Sequence, residues 1–289
     1  MRHYAPVTED RSWVRVGEVD LYVVTLGRPG GTPLVVLHGG PDWDHSYLLG
    51  PMRRLAAERH VVLFDLRGCG RSTRGLPMHA CQPEGVMDDL QGLMDWLGVQ
   101  QIDLLGFSYG GQLAVRFLAD HRESVRKLVL ASTGVYDDDS SLQAWTEYRA
   151  RAAHLDVQAL LDDPRLTPQQ KTERLAETTA PLDIWDLSRL SEYRRLLRGI
   201  IFSGDWMRAW RSGTLRKPLP ANPEDLLRNV GRTVCLLHGA QDMRFPVEHA
   251  RRLHRAAPQA CLVVIADAGH MTHFEQPARW AVGLRRFLA

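Results

Sequence analysis

The chain has 289 residues, of which 44% are hydrophobic and 24% charged, and its formal net charge is +2. That length suits one large α/β domain, with or without an insertion, whose core needs neither disulfides nor a structural metal. So even a charge offers no field to gather nucleic acid or an anionic membrane, and no apolar run approaches the roughly 18 residues a spanning helix requires.

Residues 12–26, with WVRV and DLYVVTL, alternate apolar and polar side chains and predict an antiparallel hairpin with one wet face. PLVVLH (33–38) is instead a continuous apolar run, the pattern of a parallel strand covered on both faces. VVLFD (61–65), IDLLG (102–106), KLVLAS (127–132), TVCLLHG (233–239) and CLVVIA (261–266) share it. Helical patterns fall between them at 46–58, 86–98, 112–121 and 247–257, and a last one, ARWAVGLRRFLA, ends the chain. The alternation predicts a mostly parallel sheet wrapped by helices.

Residues 135–228 break this rhythm. They hold helical patterns such as SLQAWTEYRARAAHL and LSEYRRLLRGIIF, punctuated by prolines, and four of the eight tryptophans: Trp145, Trp185, Trp206 and Trp210. We expect a helical cap at 135–228, inserted between two core strands, with 1–134 and 229–289 forming the core. Arg194, Arg195 and Arg198 within it read as a solvated helix face rather than an anion site. Cys69, Cys81, Cys235 and Cys261 form no CxxC pair, and the first sixteen residues show no apolar leader pattern. Free thiols in a reducing, cytoplasmic setting are expected.

The segment IDLLGFSYGGQLAVRF carries the chemistry. Apolar strand residues run into Gly106-Phe107-Ser108-Tyr109-Gly110-Gly111, and a helical pattern begins at once. This is G-x-S-x-G between a strand and a helix, the setting in which a sharp turn lifts a serine hydroxyl clear of a sheet. Ser108 is the expected nucleophile, and Tyr109 N–H, at the helix N-terminus, an expected oxyanion donor. Upstream, His38-Gly39-Gly40-Pro41-Asp42 ends another strand. Its glycines allow close backbone approach to a substrate carbonyl, and Gly40 N–H is the expected second donor. His38, placed before the glycines, reads as a structural histidine.

A serine hydroxyl needs a base, and the base an orienting carboxylate; in this arrangement they follow in the order Ser, Asp or Glu, His. Beyond the last strand, His270 in a loop with Ala268 and Gly269 is favoured as base over His273. Asp242, in the loop after TVCLLHG, is favoured as the acid over Asp267 and over Asp137-Asp138-Asp139. No cofactor is called for, and no metal: His249 and His254, five apart on a helical segment, share no clean face.

These segments resemble the α/β-hydrolase superfamily along nearly the whole chain. More narrowly they resemble the proline iminopeptidase group of serine peptidases, through His38-Gly39-Gly40-Pro41, through Phe64-Asp65-Leu66-Arg67-Gly68-Cys69-Gly70-Arg71-Ser72, and through the Ser108 elbow. The resemblance implies a triad of Ser108, Asp242 and His270 under a helical cap, acting on short peptides with an N-terminal proline or other small residue. Asp65 and Arg67 would pin loops beside the pocket. Two features depart from the group: Asp42 stands where it has glycine, and the cap glutamates that hold a substrate ammonium have no clear counterpart among Glu173, Glu177, Glu192 and Asp205. Gly39, Trp206 and Glu192 are the expected substrate contacts. The same triad would serve an ester, a lactone or another acyl compound, and a non-catalytic binding protein on this scaffold is a third reading.

Overall fold

The computed structural model describes residues 7–230 and 233–289. Residues 1–6, the start of the segment in which no leader was expected, and residues 231–232 of the expected core lie outside the described residues. Eight strands, β1 (Glu9–Val16), β2 (Val19–Leu26), β3 (Leu34–Leu37), β4 (Val61–Phe64), β5 (Ile102–Phe107), β6 (Val125–Ala131), β7 (Val234–Gly239) and β8 (Cys261–Ile265), form one sheet in the order β1-β2-β4-β3-β5-β6-β7-β8. β1 and β2 are the expected hairpin, and β2 runs antiparallel to β4; every other pairing is parallel.

The apolar runs explain the layering. β3, β4, β5 and β7 are buried at every residue, because helices cover both faces. On one face α2 (Pro83–Leu97), α3 (Tyr109–Asp120) and α11 (Val247–Ala256) pack with Phe64, Leu104 and Leu130. On the other α1 (Ser46–Leu55) and α13 (Pro277–Leu288) pack with Leu63, Leu105 and Leu237. β8 differs from expectation. Its apolar run lies at the sheet edge and is only half-buried, since one side has no neighbouring strand.

Between β6 and β7 the chain runs through α4 (Ser140–Ala144), α5 (Thr146–Ala152), α6 (Val157–Asp162), α7 (Pro168–Thr179), α8 (Leu190–Leu197), α9 (Asp205–Arg211) and α10 (Pro223–Val230). Proline opens α7 and α10, where its missing N–H costs nothing, and a capping box between Thr167 and Gln170 closes the first turn of α7. Arg194, Arg195 and Arg198 are exposed.

The order in which successive strands are laid down reverses around β3: β4 lies on one side of it and β5 on the other, all three parallel. Loops leaving the carboxyl ends of β3 and β5 therefore diverge and leave a crevice, the place where sheets of this kind bind ligands. Arg67, in the loop after β4, forms a two-pronged ion pair with buried Asp89 of α2, at 2.7 Å on each prong. Removing one member of a buried pair strands the other charge at a cost of about 3–5 kcal/mol. Arg67→Ala is expected to lower the melting temperature by several degrees in calorimetry; an unchanged melting temperature would show that the pair is not under load.

Candidate active site

Ser108 joins β5 to α3 with φ 55° and ψ −124°, a backbone conformation side chains rarely adopt. The turn that imposes it needs glycine on both sides. A Cβ on Gly106 would strike the carbonyl of Gly110, and one on Gly110 would strike the carbonyls of Leu37 and His38. Ser108 N–H is held by Ala131 O at 3.0 Å.

The loop after β3 passes against the elbow. A Cβ on Gly39 would lie 2.6 Å from Ser108 Cβ, so only glycine fits there. Gly39 N–H donates to Tyr47 Oη at 2.7 Å and is spoken for. Among the described residues, no acceptor is found for the N–H of Gly40 or of Tyr109. His38 is buried beneath the loop: Leu66 N–H donates to its Nε2 at 3.0 Å, so the proton sits on Nδ1, 3.0 Å from Gly39 O. Burial holds its pKa below the ordinary value. Asp65 accepts the N–H of His45 at 2.9 Å and of Arg71 at 2.8 Å, and pairs with His45 Nδ1 at 2.6 Å, tying the loop after β4 to the start of α1.

His270 lies in the loop after β8, with Nδ1 3.0 Å from Asp242 Oδ2. A carboxylate facing Nδ1 makes that nitrogen the donor and leaves Nε2 as the acceptor of a neutral ring. Asp242 is fully buried after β7; its Oδ1 accepts the N–H of Arg244 at 2.8 Å and of Phe245 at 2.9 Å. His238, at the end of β7, brings Nε2 to 3.3 Å from Asp242 Oδ2 and to 2.7 Å from Phe245 O. Burial alone would raise Asp242, but His270 and His238 overcome it and hold the carboxyl far below the usual range. His238 was missed in the sequence. Its position four residues before Asp242, at the mouth of an apolar strand, was the available signal.

The rivals fall elsewhere. His273 is buried edge-on against Phe107, ring centroids 4.9 Å apart, and neither ring nitrogen finds a partner among the described residues. Burial, then the neighbouring His270, pushes it down to about 3, so it stays neutral. Asp267 and the run Asp137-Asp138-Asp139 are exposed.

Ser108, Tyr109, Gly40 and His270 line one cavity of about 790 Å³ between the sheet ends and the intervening helices. Trp206, buried, Met207, Leu175, Met271 and Trp43 supply much of its wall. The acids that the cap offers for an ammonium do not reach it. Glu192, expected as a substrate contact, is turned outward and bonded to Arg189 at 2.9 and 3.0 Å, because α8 buries its opposite face through Tyr193 and Leu197. Glu173 is exposed, Glu177 faces Arg194 at 3.6 Å, and Asp205 is held by Arg208 at 2.7 Å and Leu76 N–H at 3.0 Å.

The cavity's own acids are Asp42 and Asp183. Asp183 is shared between Arg244 Nε at 2.6 Å and Tyr193 Oη at 2.9 Å. Asp42 accepts three hydrogen bonds, from Ser203 Oγ, Trp206 N–H and Met207 N–H, at 2.8, 3.0 and 2.6 Å. Burial pushes it up to about 6 against the pull of those donors. A raised acid binds its proton more tightly folded than unfolded, so its contribution to stability falls as pH climbs from about 4 to 6 and is level above. From the two-unit shift the loss is about 3 kcal/mol. Asp42→Asn is expected to remove that slope from the difference between melting curves at pH 4.5 and 7.5. An identical pH dependence in the variant would mean that Asp42 is not a buried titrating group. Among the described residues, no group of three or more His, Cys, Asp or Glu side chains is placed to hold a metal ion, and no helix is long and apolar enough to cross a membrane.

A strained serine elbow on a mostly parallel sheet, with a histidine–aspartate pair presented from later loops, is the architecture of the α/β hydrolases. A family model described as alpha/beta hydrolase fold matches residues 32–277, and the chain belongs to that family. A proline iminopeptidase of Xylella fastidiosa is 27% identical over 275 residues, covering 86% of this chain and 87% of that protein. A 2-hydroxymuconate semialdehyde hydrolase of Pseudomonas sp. is 30% identical over 266 residues, covering 90% and 87%. Among solved structures, a thermophilic esterase from Thermogutta terrifontis superposes with a TM-score of 0.73 at 25% identity, covering 96% of this chain and 98% of that one. A proline iminopeptidase-related protein from Thermus thermophilus, at TM-score 0.71 and 24% identity, shares the fold.

Proposed function

We propose that the protein is a serine hydrolase that cleaves small, largely apolar acyl compounds, esters foremost, through an acyl-enzyme. Ser108 Oγ attacks the substrate carbonyl while His270 Nε2 takes its proton; Asp242 holds the ring in the tautomer that leaves Nε2 free and stabilises the imidazolium that forms. The N–H groups of Gly40 and Tyr109 receive the oxyanion, each worth about 3 kcal/mol in the transition state. His270 then returns the proton to the leaving group, and water repeats the sequence to release the acid.

The observation that carries the ester reading over the peptidase is the absence, among the described residues lining the cavity, of a carboxylate free to meet an ammonium. Both acids there have their oxygens committed, and Glu173, Glu177, Glu192 and Asp205 lie outside it. An ammonium enclosed without a counter-charge is costly. The aminopeptidase of short N-terminal proline peptides remains a second reading, supported by the His38–Pro41 loop and by the Xylella fastidiosa relative. A panel of p-nitrophenyl acyl esters against aminoacyl-naphthylamides, prolyl included, separates the two. Ester turnover with no release of naphthylamine is expected; preferred cleavage of the prolyl amide would reverse the assignment.

A further inference from the structure

We propose that Asp42 is a positioning residue that locks the oxyanion loop to the cap, so that Gly40 N–H and the cavity wall of Trp206 and Met207 are set as one unit. Its catalytic consequence rests on the serine-hydrolase reading above.

Asp42 follows Gly40 with only Pro41 between them, at φ 76°. Glycine adopts that region freely and a side chain rarely does, so such strain survives where surrounding contacts over-determine it. The contacts all run to one place. Ser203 N–H donates to Asp42 O at 2.8 Å, and the carboxylate takes the Ser203 hydroxyl and the second and third N–H groups of α9, those of Trp206 and Met207. None of these partners is a cation, although the side chain is buried. α9 starts from Gly204, which has no side chain to cap it, and Asp205 in its first turn is taken by Leu76 N–H and Arg208, so Asp42 supplies the missing cap. Because that cap comes from some 160 positions away, it also fixes the spacing of two walls. The wall is tied on its far side too, where Trp206 Nε1 donates to Arg67 O at 2.7 Å. Gly40, Ser108, Trp206 and Met207 all face the same cavity. An oxyanion donor acts only when held near its productive position, so loosening this strut acts on the transition state more than on substrate binding.

Asp42→Gly tests this, because glycine takes the left-handed φ without strain while every carboxylate bond is lost. With native near-ultraviolet circular dichroism confirmed, hydrogen exchange at the amides of Trp206 and Met207 and in residues 39–43 is expected to quicken tenfold or more. For p-nitrophenyl butyrate, kcat is expected to fall at least tenfold with KM within twofold. Asp42→Asn should fall between, since its amide oxygen keeps the Ser203 and Trp206 bonds while its NH2 opposes Met207 N–H. Unchanged exchange would overturn the link. Quickened exchange with undiminished kcat, or a raised KM alone, would overturn the positioning role. If the wild-type protein hydrolyses no acyl ester, the serine-hydrolase reading fails and the catalytic half falls with it, while exchange at Trp206 and Met207 still decides the link.

Discussion

Ser108→Ala is expected to lower kcat for a p-nitrophenyl ester by about six orders of magnitude, to a residue of roughly 10³–10⁴-fold over water. The size follows from what the substitution removes. Without Oγ no acyl-enzyme forms, and the only catalysis left is the placement of a carbonyl against the N–H groups of Gly40 and Tyr109. Alanine is otherwise benign at this site: Cβ is retained, so the contact with Gly39 and the φ of 55° are those already present. KM should stay within a few fold, because the wall of Trp206, Met207 and Leu175 does not change. A variant retaining a tenth of wild-type turnover would remove Ser108 from the chemistry.

Asp242→Asn is expected to cost about 10⁴-fold in kcat, and the hydrogen bonds state why. Oδ1 accepts two backbone N–H groups, from Arg244 and Phe245, so the amide oxygen is confined to that position. The NH2 then points at His270 Nδ1 and at His238 Nε2, where Oδ2 stood. A donor facing Nδ1 forces the His270 proton onto Nε2, and the ring can no longer accept from Ser108. Single-turnover kinetics should show acylation slowed and substrate binding nearly intact. A variant within tenfold of wild type would mean that Asp242 does not set the tautomer.

Much of this arrangement was legible because it is local. G-x-S-x-G between an apolar strand and a helix requires a turn that only glycine neighbours allow, and the contacts at Gly106 and Gly110 are the physical content of that pattern. The alternation of apolar runs with helical patterns likewise reflects a sheet covered on both faces. β8 was misjudged because a run such as CLVVIA carries no mark of whether another strand lies beyond it. The cap acids were less readable still. Whether Glu192 faces a cavity or solvent depends on which side of α8 carries Tyr193 and Leu197 inward, and that is decided by packing between distant helices. His238 and Asp42 belong to the same class. His238 acquires its place only when the loop after β7 folds back over it, and Asp42, a departure from glycine in the sequence, acquires its meaning from Ser203, Trp206 and Met207, far along the chain.

The central claim is that Ser108 is a nucleophile activated by His270, and covalent labelling with a fluorophosphonate followed by peptide mass spectrometry tests it most directly. A single adduct is expected on Ser108 of the folded protein, absent after denaturation or in Ser108→Ala, and formed far more slowly in His270→Ala. No adduct on the folded chain, or one carried by another residue at the same rate in Ser108→Ala, would contradict it.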